Sequence, residues 1–222
     1  LTITGLRPTK VTAYETPNVN GRKYGRFGGD GSVIICQMSN GGIAKFLPWC
    51  GFKRHPEAIW YAVYGSKGMA ETDRWDELFN KVHVYTEENG KQEGYVPDFP
   101  LETELSKTIG GHGGSDFFTM QFFLDAILDR PNKELAIDVY QALDMTLPGT
   151  LGYRSIYEGN IPLEVPDLRD KSIRDKYRND KWCLDPKYAG PGQPVNSSSF
   201  GPVEIDDEVF EDVARRYREM LK

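Results

Sequence analysis

The pattern of apolar and polar positions predicts strands in the first half of the chain. Strands are expected at residues 9–16, 33–38, 43–52, 58–64, 69–74 and 82–86. Two connections between them, Ser39-Asn40-Gly41-Gly42 and Gly65-Ser66-Lys67-Gly68, have the glycine-containing composition of tight hairpin turns. A third turn is expected at 88–91. Successive hairpins indicate a largely antiparallel sheet, in which one face can be packed while the other stays open.

The period of the apolar positions changes to that of a helix after Asp116. A helix is predicted over 116–129 and ends before Pro131, and a longer one is predicted over 138–158. Pro148 should kink the longer helix and Gly159 should end it. Strands followed by helices predict an α+β fold with two layers: an open, largely antiparallel sheet covered on one face by helices.

These patterns predict one domain followed by a C-terminal tail. Residues 1–167 are expected to form a single α/β domain. Residues 168–222 are expected to be an extended, charged tail that ends in a helix over 206–222 and packs on the same domain. Acidic residues begin this last helix and arginines lie near its end, as the helix dipole favours.

Composition excludes several classes of function. A net charge of -6 makes a nucleic-acid partner unexpected, and no apolar run is long enough to span a membrane. Three cysteines without a CxxC spacing predict neither a disulfide framework nor a zinc site, and favour a reducing, cytoplasmic compartment. The chain begins at Leu1 rather than Met, so we expect it to be part of a longer protein, with any secretion signal upstream.

Motifs for nucleotide binding and hydrolysis are absent from the sequence. No G-x-G-x-x-G follows a strand, since the glycines of 25–31 lack the spacing and those of 110–114 follow no βαβ strand. Walker A, G-x-S-x-G and H-E-x-x-H motifs are also missing. The chain is therefore not expected to hold a dinucleotide by the usual route.

The segment Gly110-Gly111-His112-Gly113-Gly114-Ser115-Asp116 is the most suggestive candidate site. Its glycines let the backbone approach a ligand, and a neutral His112 near a helix N-terminus can accept a proton or hydrogen bond from a substrate hydroxyl. The alternative is a flexible loop in which Ser115 or Asp116 caps the helix and His112 is only solvated. His112 and Asp116 lack a third partner, so no metal site is expected.

Two further stretches have weaker signals. In Tyr64–Arg74, Arg74 can bind a hydroxyl-rich or anionic ligand through two hydrogen bonds, and Glu71 lies on the strand that follows the turn. The alternative is a plain hairpin without a ligand. In Trp49–Pro56, aromatic and polar residues suit a sugar ring, but an ordinary sheet face is preferred. His83 alternates with Val82 and Val84 and is expected on the solvated face.

The ordered set of segments resembles a known family. Tyr64-Gly65-Ser66-Lys67-Gly68 leading to Glu71, Gly111-His112-Gly113-Gly114 with Asp116, and Asp138–Asp144 followed by Ile161–Pro166 are similar to the C-terminal domain of the glucose–fructose oxidoreductase / inositol dehydrogenase / MocA family. The similarity is to its sugar-acting branch, which includes NAD-dependent α-N-acetylgalactosaminidase-like members, and covers about 1–167.

The resemblance implies a substrate-binding and oligomerisation domain of an NAD(P)-dependent oxidoreductase that acts on a carbohydrate or polyol hydroxyl. NAD or NADP would be bound by a Rossmann domain upstream of Leu1, so this chain alone is expected to be inactive. By the same resemblance, His112 faces the substrate with Asp116 as its support, and Glu71 and Arg74 contact it. The partners implied are a sugar or polyol substrate and further copies of the chain, packed through the open sheet face.

Two alternatives remain open at this point. The parent protein can be a glycosidase that uses NAD in a redox cycle, because such enzymes share the fold. The chain can also be a binding or assembly module that kept the sheet and lost catalysis.

Overall fold

A computed structural model describes residues 2–52, 59–75, 81–109 and 112–221. Contacts between residues divide the chain into two compact units. Unit 1 comprises Leu1–Phe52 with Ile137–Lys222, and unit 2 comprises Lys53–Ala136. Both units contain antiparallel strands and the chain contains α-helices, so the predicted α+β class is confirmed.

Unit 1 contains a four-stranded antiparallel sheet. Its strands are β1 (Pro8–Glu15), β2 (Ser32–Met38), β3 (Ile43–Phe46) and a short strand late in the chain, Leu163–Glu164, which becomes β8 in chain order. They are arranged in the order β3-β2-β1-β8. The predicted hairpin at 39–42 joins β2 to β3, where the amide of Met38 donates to the carbonyl of Gly42 at 2.8 Å.

A long helix covers this sheet. Its first turn is capped by Asp138, whose carboxylate accepts a hydrogen bond from the Gln141 amide at 2.7 Å, and the helix continues through Pro148 over Val139–Tyr157. It packs closely on β1 at Gly152, where a Cβ would lie 3.3 Å from the Cβ of Ala13. The core of unit 1 lies between this helix and the sheet and is formed by Val11, Cys36, Leu151 and Val165.

Unit 2 contains a second four-stranded antiparallel sheet. Its strands are β4 (Ala62–Gly65), β5 (Gly68–Thr72), β6 (Val82–Thr86) and β7 (Gln92–Tyr95), in the order β4-β5-β6-β7. Two helices follow, α1 (Glu104–Thr108) and α2 (Ser115–Ile127), so the long helix of unit 1 is α3. This sheet is a plain meander in which each strand pairs with the next, as the hairpin signals predict.

The tail after residue 167 differs in one respect from the expectation. The charged stretch that was expected to be extended contains a helix, α4 (Lys171–Tyr177), because Asp170 caps it by accepting from the Ser172 amide at 2.7 Å. The terminal helix is confirmed as α5 (Asp207–Met220). The hydroxyls of Tyr153 and Tyr157 both donate to the carbonyl of Asn196 and so anchor the loop between the two helices.

Some predictions lie outside the described residues: the start of the strand at 58, the polar residues 53–56, and Gly110 and Gly111. The domain boundary at residue 167 stays a prediction. Within the described part of the chain, no helix combines the length and the apolarity needed to cross a membrane.

Candidate functional site

His112 and Asp116 form a pair at the start of α2. The imidazole Nδ1 lies 3.1 Å from Oδ1 and 3.0 Å from Oδ2 of the carboxylate. The Ser115 hydroxyl donates to the His112 carbonyl at 3.0 Å, and Gly114 precedes the helix in the left-handed region. His112 itself has φ 45°, a conformation that non-glycine residues rarely adopt. The turn therefore holds the histidine against its carboxylate.

This pairing fixes the chemistry of the imidazole. An ionised carboxylate only accepts hydrogen bonds, so Nδ1 of His112 carries the hydrogen and Nε2 of the neutral ring is left as an acceptor. The side chain is 79% exposed, so Nε2 is within reach of a ligand. The structure thus shows the contact between His112 and Asp116, while the supporting role of Asp116 and the contact of His112 with substrate stay predictions.

Glu71 lies on β5, opposite Ala62 of β4 and His83 of β6. Its carboxylate accepts a hydrogen bond from the Tyr64 hydroxyl at 3.2 Å. Partial desolvation and the charge of Glu71 raise the pKa of Tyr64, so the phenol stays protonated and keeps donating. Glu71 is therefore an oriented carboxylate on the surface of the sheet.

Arg74 follows the end of β5 and lies against aromatic rings. Its guanidinium carbon is 4.4 Å from the centre of the Trp60 ring and 5.4 Å from that of Trp75. Stacking of this kind holds a guanidinium in a plane while its edge can still donate hydrogen bonds. The role of Arg74 in substrate binding stays a prediction.

A second histidine–carboxylate pair was not foreseen from the sequence. Nε2 of His83 lies 2.7 Å from Oδ2 of Asp73, and the two side chains are only 21% and 13% exposed. Alternation along β6 placed His83 on one face of a strand but gave no information about its neighbours across the sheet. The pairing of Glu71 with His83, and the hydrogen bond from the Asp73 amide to the Lys81 carbonyl, bring Asp73 to that face.

The aromatic residues Trp49 and Phe52 after β3 contact each other and Gly31, and both stay partly exposed. The rings of Trp49 and Phe52 lie 5.0 Å apart, and a Cβ on Gly31 would come within 2.9 Å of the Phe52 ring. The preferred interpretation of this stretch, an ordinary sheet face, is wrong for Trp49 and Phe52, because β3 ends at Phe46 and both residues follow it.

Unit 1 contains a polar cleft of about 420 Å³ that the sequence did not predict. At its base Asp144 is nearly fully buried and pairs with Arg7 at 3.2 Å and Arg169 at 2.7 Å. Arg7 also donates to the carbonyls of Val165 and Pro166. Arg7, Asp144 and Arg169 come from segments that are far apart in the sequence. We call this group of three charged residues the Asp144 junction and interpret it as structural.

The glycine-rich stretch 25–31 contains a buried carboxylate that backbone amides outside the stretch hold. The buried carboxylate of Asp30 accepts hydrogen bonds from the amides of Val19, Asn20 and Gly21, at 2.7–3.1 Å. Burial alone would raise the pKa of Asp30, but these amides outweigh it and lower the pKa. The negative side chain of Asp30 is thus held by the backbone of residues 19–21.

Metal coordination has no support in the described part of the chain. No group of three His, Cys, Asp or Glu side chains there is placed to hold a metal ion.

Comparison with known proteins decides the family. Residues 30–174 match the family Glycosyl hydrolase 109, C-terminal domain. The chain belongs to this family. It is a C-terminal-domain family of the glucose–fructose oxidoreductase / inositol dehydrogenase / MocA group, so the resemblance seen in the sequence is confirmed.

Curated relatives carry the same family name. A glycosyl hydrolase family 109 protein of Solibacter usitatus is 36% identical over 65 residues, 29% of this chain and 14% of the relative. One from Stenotrophomonas maltophilia is 26% identical over 143 residues, 60% of this chain and 29% of the relative. This glycosyl hydrolase 109 domain therefore matches less than a third of the length of these relatives.

Solved structures share the fold at low identity. An oxidoreductase domain protein from Kribbella flavida has a TM-score of 0.53 at 17% identity, covering 74% of this chain and 46% of that one. Aldose-aldose oxidoreductase from Caulobacter crescentus, solved with glycerol, has 0.51 at 15%, covering 73% and 43%. Levoglucosan dehydrogenase, in complex with NADH and L-sorbose, has 0.50 at 14%, covering 73% and 46%. At these identities the likeness shows the fold alone.

Proposed function

We propose that this chain is the substrate-binding domain of a carbohydrate-acting enzyme that uses NAD or NADP, with the cofactor held by a part of the gene product outside this chain. The observation that carries the proposal is the match of residues 30–174 to the glycosyl hydrolase 109 C-terminal domain. The family name favours a glycoside as substrate, cleaved in a redox cycle.

A second candidate is a dehydrogenase that oxidises a free sugar or polyol. It is favoured by the fold shared with aldose-aldose oxidoreductase and levoglucosan dehydrogenase, whose structures hold glycerol and L-sorbose respectively. Both candidates require a surface that recognises hydroxyl groups, and they differ in whether a glycosidic bond is broken.

In either case, His112 is the group we assign to the substrate. Nε2 of its ring accepts a hydrogen bond or a proton from a substrate hydroxyl, and Asp116 holds the ring in the required tautomer. Glu71 and Arg74 bind further hydroxyls. The sequence has no G-x-G-x-x-G after a strand, so no step is assigned to the cofactor here.

We further propose that the domain packs with copies of itself through the sheet of unit 2. The face that carries Val63 of β4 is opposite the one that carries Glu71, and Val63 is 37% exposed. On the same side, Tyr95 of β7 is 52% exposed. Apolar residues on an open sheet favour association.

The test is turnover by the gene product that contains this chain. It is supplied with NAD⁺ and either an aryl α-N-acetylgalactosaminide or a panel of free sugars and polyols, and both aryl alcohol release and NADH formation are recorded. Release of the aryl alcohol without net NADH supports the glycosidase. Net NADH from a free sugar supports the dehydrogenase, and neither activity with any carbohydrate contradicts the proposal.

A further inference from the structure

We propose that an exposed apolar stripe of α2 is the surface on which the cofactor-holding part of the gene product docks. This α2 stripe comprises five large side chains that are 44–62% exposed: Met120, Phe123, Leu124, Ile127 and Leu128. The inference deepens the proposed function and rests on it, because it names the surface through which the cofactor is brought to the substrate.

The first step of the argument is the spacing of the α2 stripe. Residues that are three, four, seven and eight positions apart lie on one side of an α-helix, and the members of the stripe have this spacing from Met120 onward. Leu128 is the C-cap of α2 and ends the stripe. An apolar stripe of this width normally faces a packing partner, whereas all five of these side chains are exposed.

The second step is that α2 has a different, packed side. The ring of Phe118 lies edge-on to that of Phe99, with 4.6 Å between their centres, and the centre of the Phe122 ring lies 6.0 Å from that of Phe118. The buried carboxylate of Asp125 accepts a hydrogen bond from the side chain of Gln121 at 2.8 Å. By helical spacing these residues of α2 lie on the side opposite the stripe, so the helix has two apolar sides and the contacts of only one are accounted for.

The third step is the position of the stripe beside the candidate site. Asp116, which contacts the His112 ring, lies four residues before Met120 and therefore on the same side of α2, one turn away. The side chains of His112 and Asp116 are both exposed. The candidate site and the stripe are thus continuous along one side of the helix, over about 18 Å from Asp116 to Leu128.

The fourth step is the identity of the occupant. When a hydroxyl is oxidised, a base takes the proton from the oxygen and the carbon gives up a hydride, for which a bound nicotinamide supplies the acceptor. His112 is the base in the proposed function, so the part that holds the cofactor must lie against the same substrate, with reacting atoms about 3–3.5 Å apart. A body in that position can cover Met120 and Phe123, which follow on the same side of α2. The chain matches 29% of the length of its Stenotrophomonas maltophilia relative, so a protein of that length has ample room for such a part.

Two other occupants fit the stripe less well. A membrane surface favours basic residues around the apolar ones, whereas residues 115–128 contain none and include two acidic residues, Asp116 and Asp125. A second copy of the chain brings no dinucleotide-binding motif to the substrate, because no G-x-G-x-x-G follows a strand in this sequence.

The test is hydroxyl-radical footprinting read by mass spectrometry, with a reporter dye that equalises the radical dose. It measures the oxidation rates of Met120 and Phe123 in the 222-residue chain and in the gene product that contains it. We expect both side chains to be oxidised several-fold more slowly in the longer protein. Equal rates in the two proteins overturn the proposal. Rates that fall as the concentration of the chain alone rises also overturn it, because a second copy then covers the stripe.

Two pairs of substitutions provide the matched comparison. Phe123→Lys with Ile127→Lys charges the stripe, whereas Thr119→Lys with Ala126→Lys adds the same charge to exposed positions on another side of α2. In the gene product, the stripe variant should lose the protection of Met120 and about 10²-fold in kcat, as expected for misplaced reacting groups, with an unchanged Kd for the nucleotide. The control variant should keep the protection, kcat and Kd, and a stripe variant that keeps them as well overturns the proposal.

The isolated chain shows whether the stripe has a role in folding. Neither variant should change its midpoint in urea, because all four substituted side chains are exposed. A loss of stability confined to the stripe variant would show that the chain covers the stripe itself, and this result also overturns the proposal.

The outcomes separate the docking surface from the proposed function. Turnover of a carbohydrate by a gene product in which Met120 and Phe123 are unprotected overturns the surface and leaves the function standing. Protection of both side chains in a gene product that turns over no carbohydrate supports the surface and contradicts the function.

Discussion

Nδ1 of His112 lies 3.0 Å from Oδ2 of Asp116, one helical turn further along the chain. The contact depends on a left-handed backbone at both His112 and Gly114, which turns the histidine back over the first residues of α2. An exposed ring held in this way is oriented before a ligand arrives, which is what a group that exchanges protons with a substrate needs.

Loss of the His112 imidazole should lower turnover. In the gene product that contains this chain, His112→Gln is expected to reduce kcat/KM for the preferred carbohydrate by about 10²–10⁴-fold, because a proton acceptor is removed. Asp116→Asn should cost less and change the pH profile, since the ring stays but its tautomer is no longer fixed. Thr119→Ala, one turn along the same helix, is the control, and an unchanged kcat/KM in His112→Gln would rule out the assigned role.

The junction at Asp144 should dominate the stability of unit 1. Asp144→Ala leaves Arg7 and Arg169 without their shared carboxylate, and we expect a loss of about 3–5 kcal/mol in the free energy of unfolding. Urea denaturation followed by circular dichroism measures it. Asp212→Ala removes a carboxylate that pairs with arginines on the surface of α5 and should have little effect. Equal losses in the two variants would contradict a special role for Asp144.

Asp30 should make the protein sensitive to acid. Its pKa in the folded chain lies below the ordinary value of 3.8, so its contribution to stability is present above pH 3.8 and is lost as the pH falls towards the folded pKa. The loss arises because protonation weakens the hydrogen bonds from three backbone amides. Asp30→Asn should be less stable at neutral pH, and should lose less stability than the parent as the pH falls through 3.8 towards the folded pKa. Parallel curves for the two proteins would contradict this origin.

The open sheet of unit 2 should mediate self-association. Light scattering at micromolar concentration is expected to give more than one copy per particle, and Val63→Lys with Tyr95→Lys should reduce the mass to that of one copy. Gln92→Lys, on the other face of β7, adds a charge without touching the apolar face and should keep the assembly. A parent chain that runs as a monomer would count against this interface.

Local sequence signals predicted much of the fold. Asn40-Gly41 marked the hairpin from β2 to β3, and Asp138 and Gly159 bounded α3 within one or two residues. The helix α4 was not predicted. The charge-rich composition of the segment favoured an extended tail, and the one local signal for a helix was the capping residue Asp170. Such signals act over a few residues, and a sequence shows them directly.

Contacts between residues that are far apart in the sequence could not be predicted from these local signals. Asp144 meets Arg7 across 137 positions, and the pairing of His83 with Asp73 depends on how β5 aligns with β6. Alternation shows which residues of a strand share a face but not which strand lies beside them. The contact of His112 with Asp116 spans only four residues, whereas the His83 pair depends on strand alignment and was not foreseen.

The most direct test of the account is equilibrium binding of NAD⁺ and NADP⁺, measured by calorimetry on the 222-residue chain and on the gene product that contains it. We predict no binding by the chain alone, because no G-x-G-x-x-G follows a strand in its sequence, and binding of at least one nucleotide by the longer protein. Binding by the chain alone, or none by the longer protein, would contradict it.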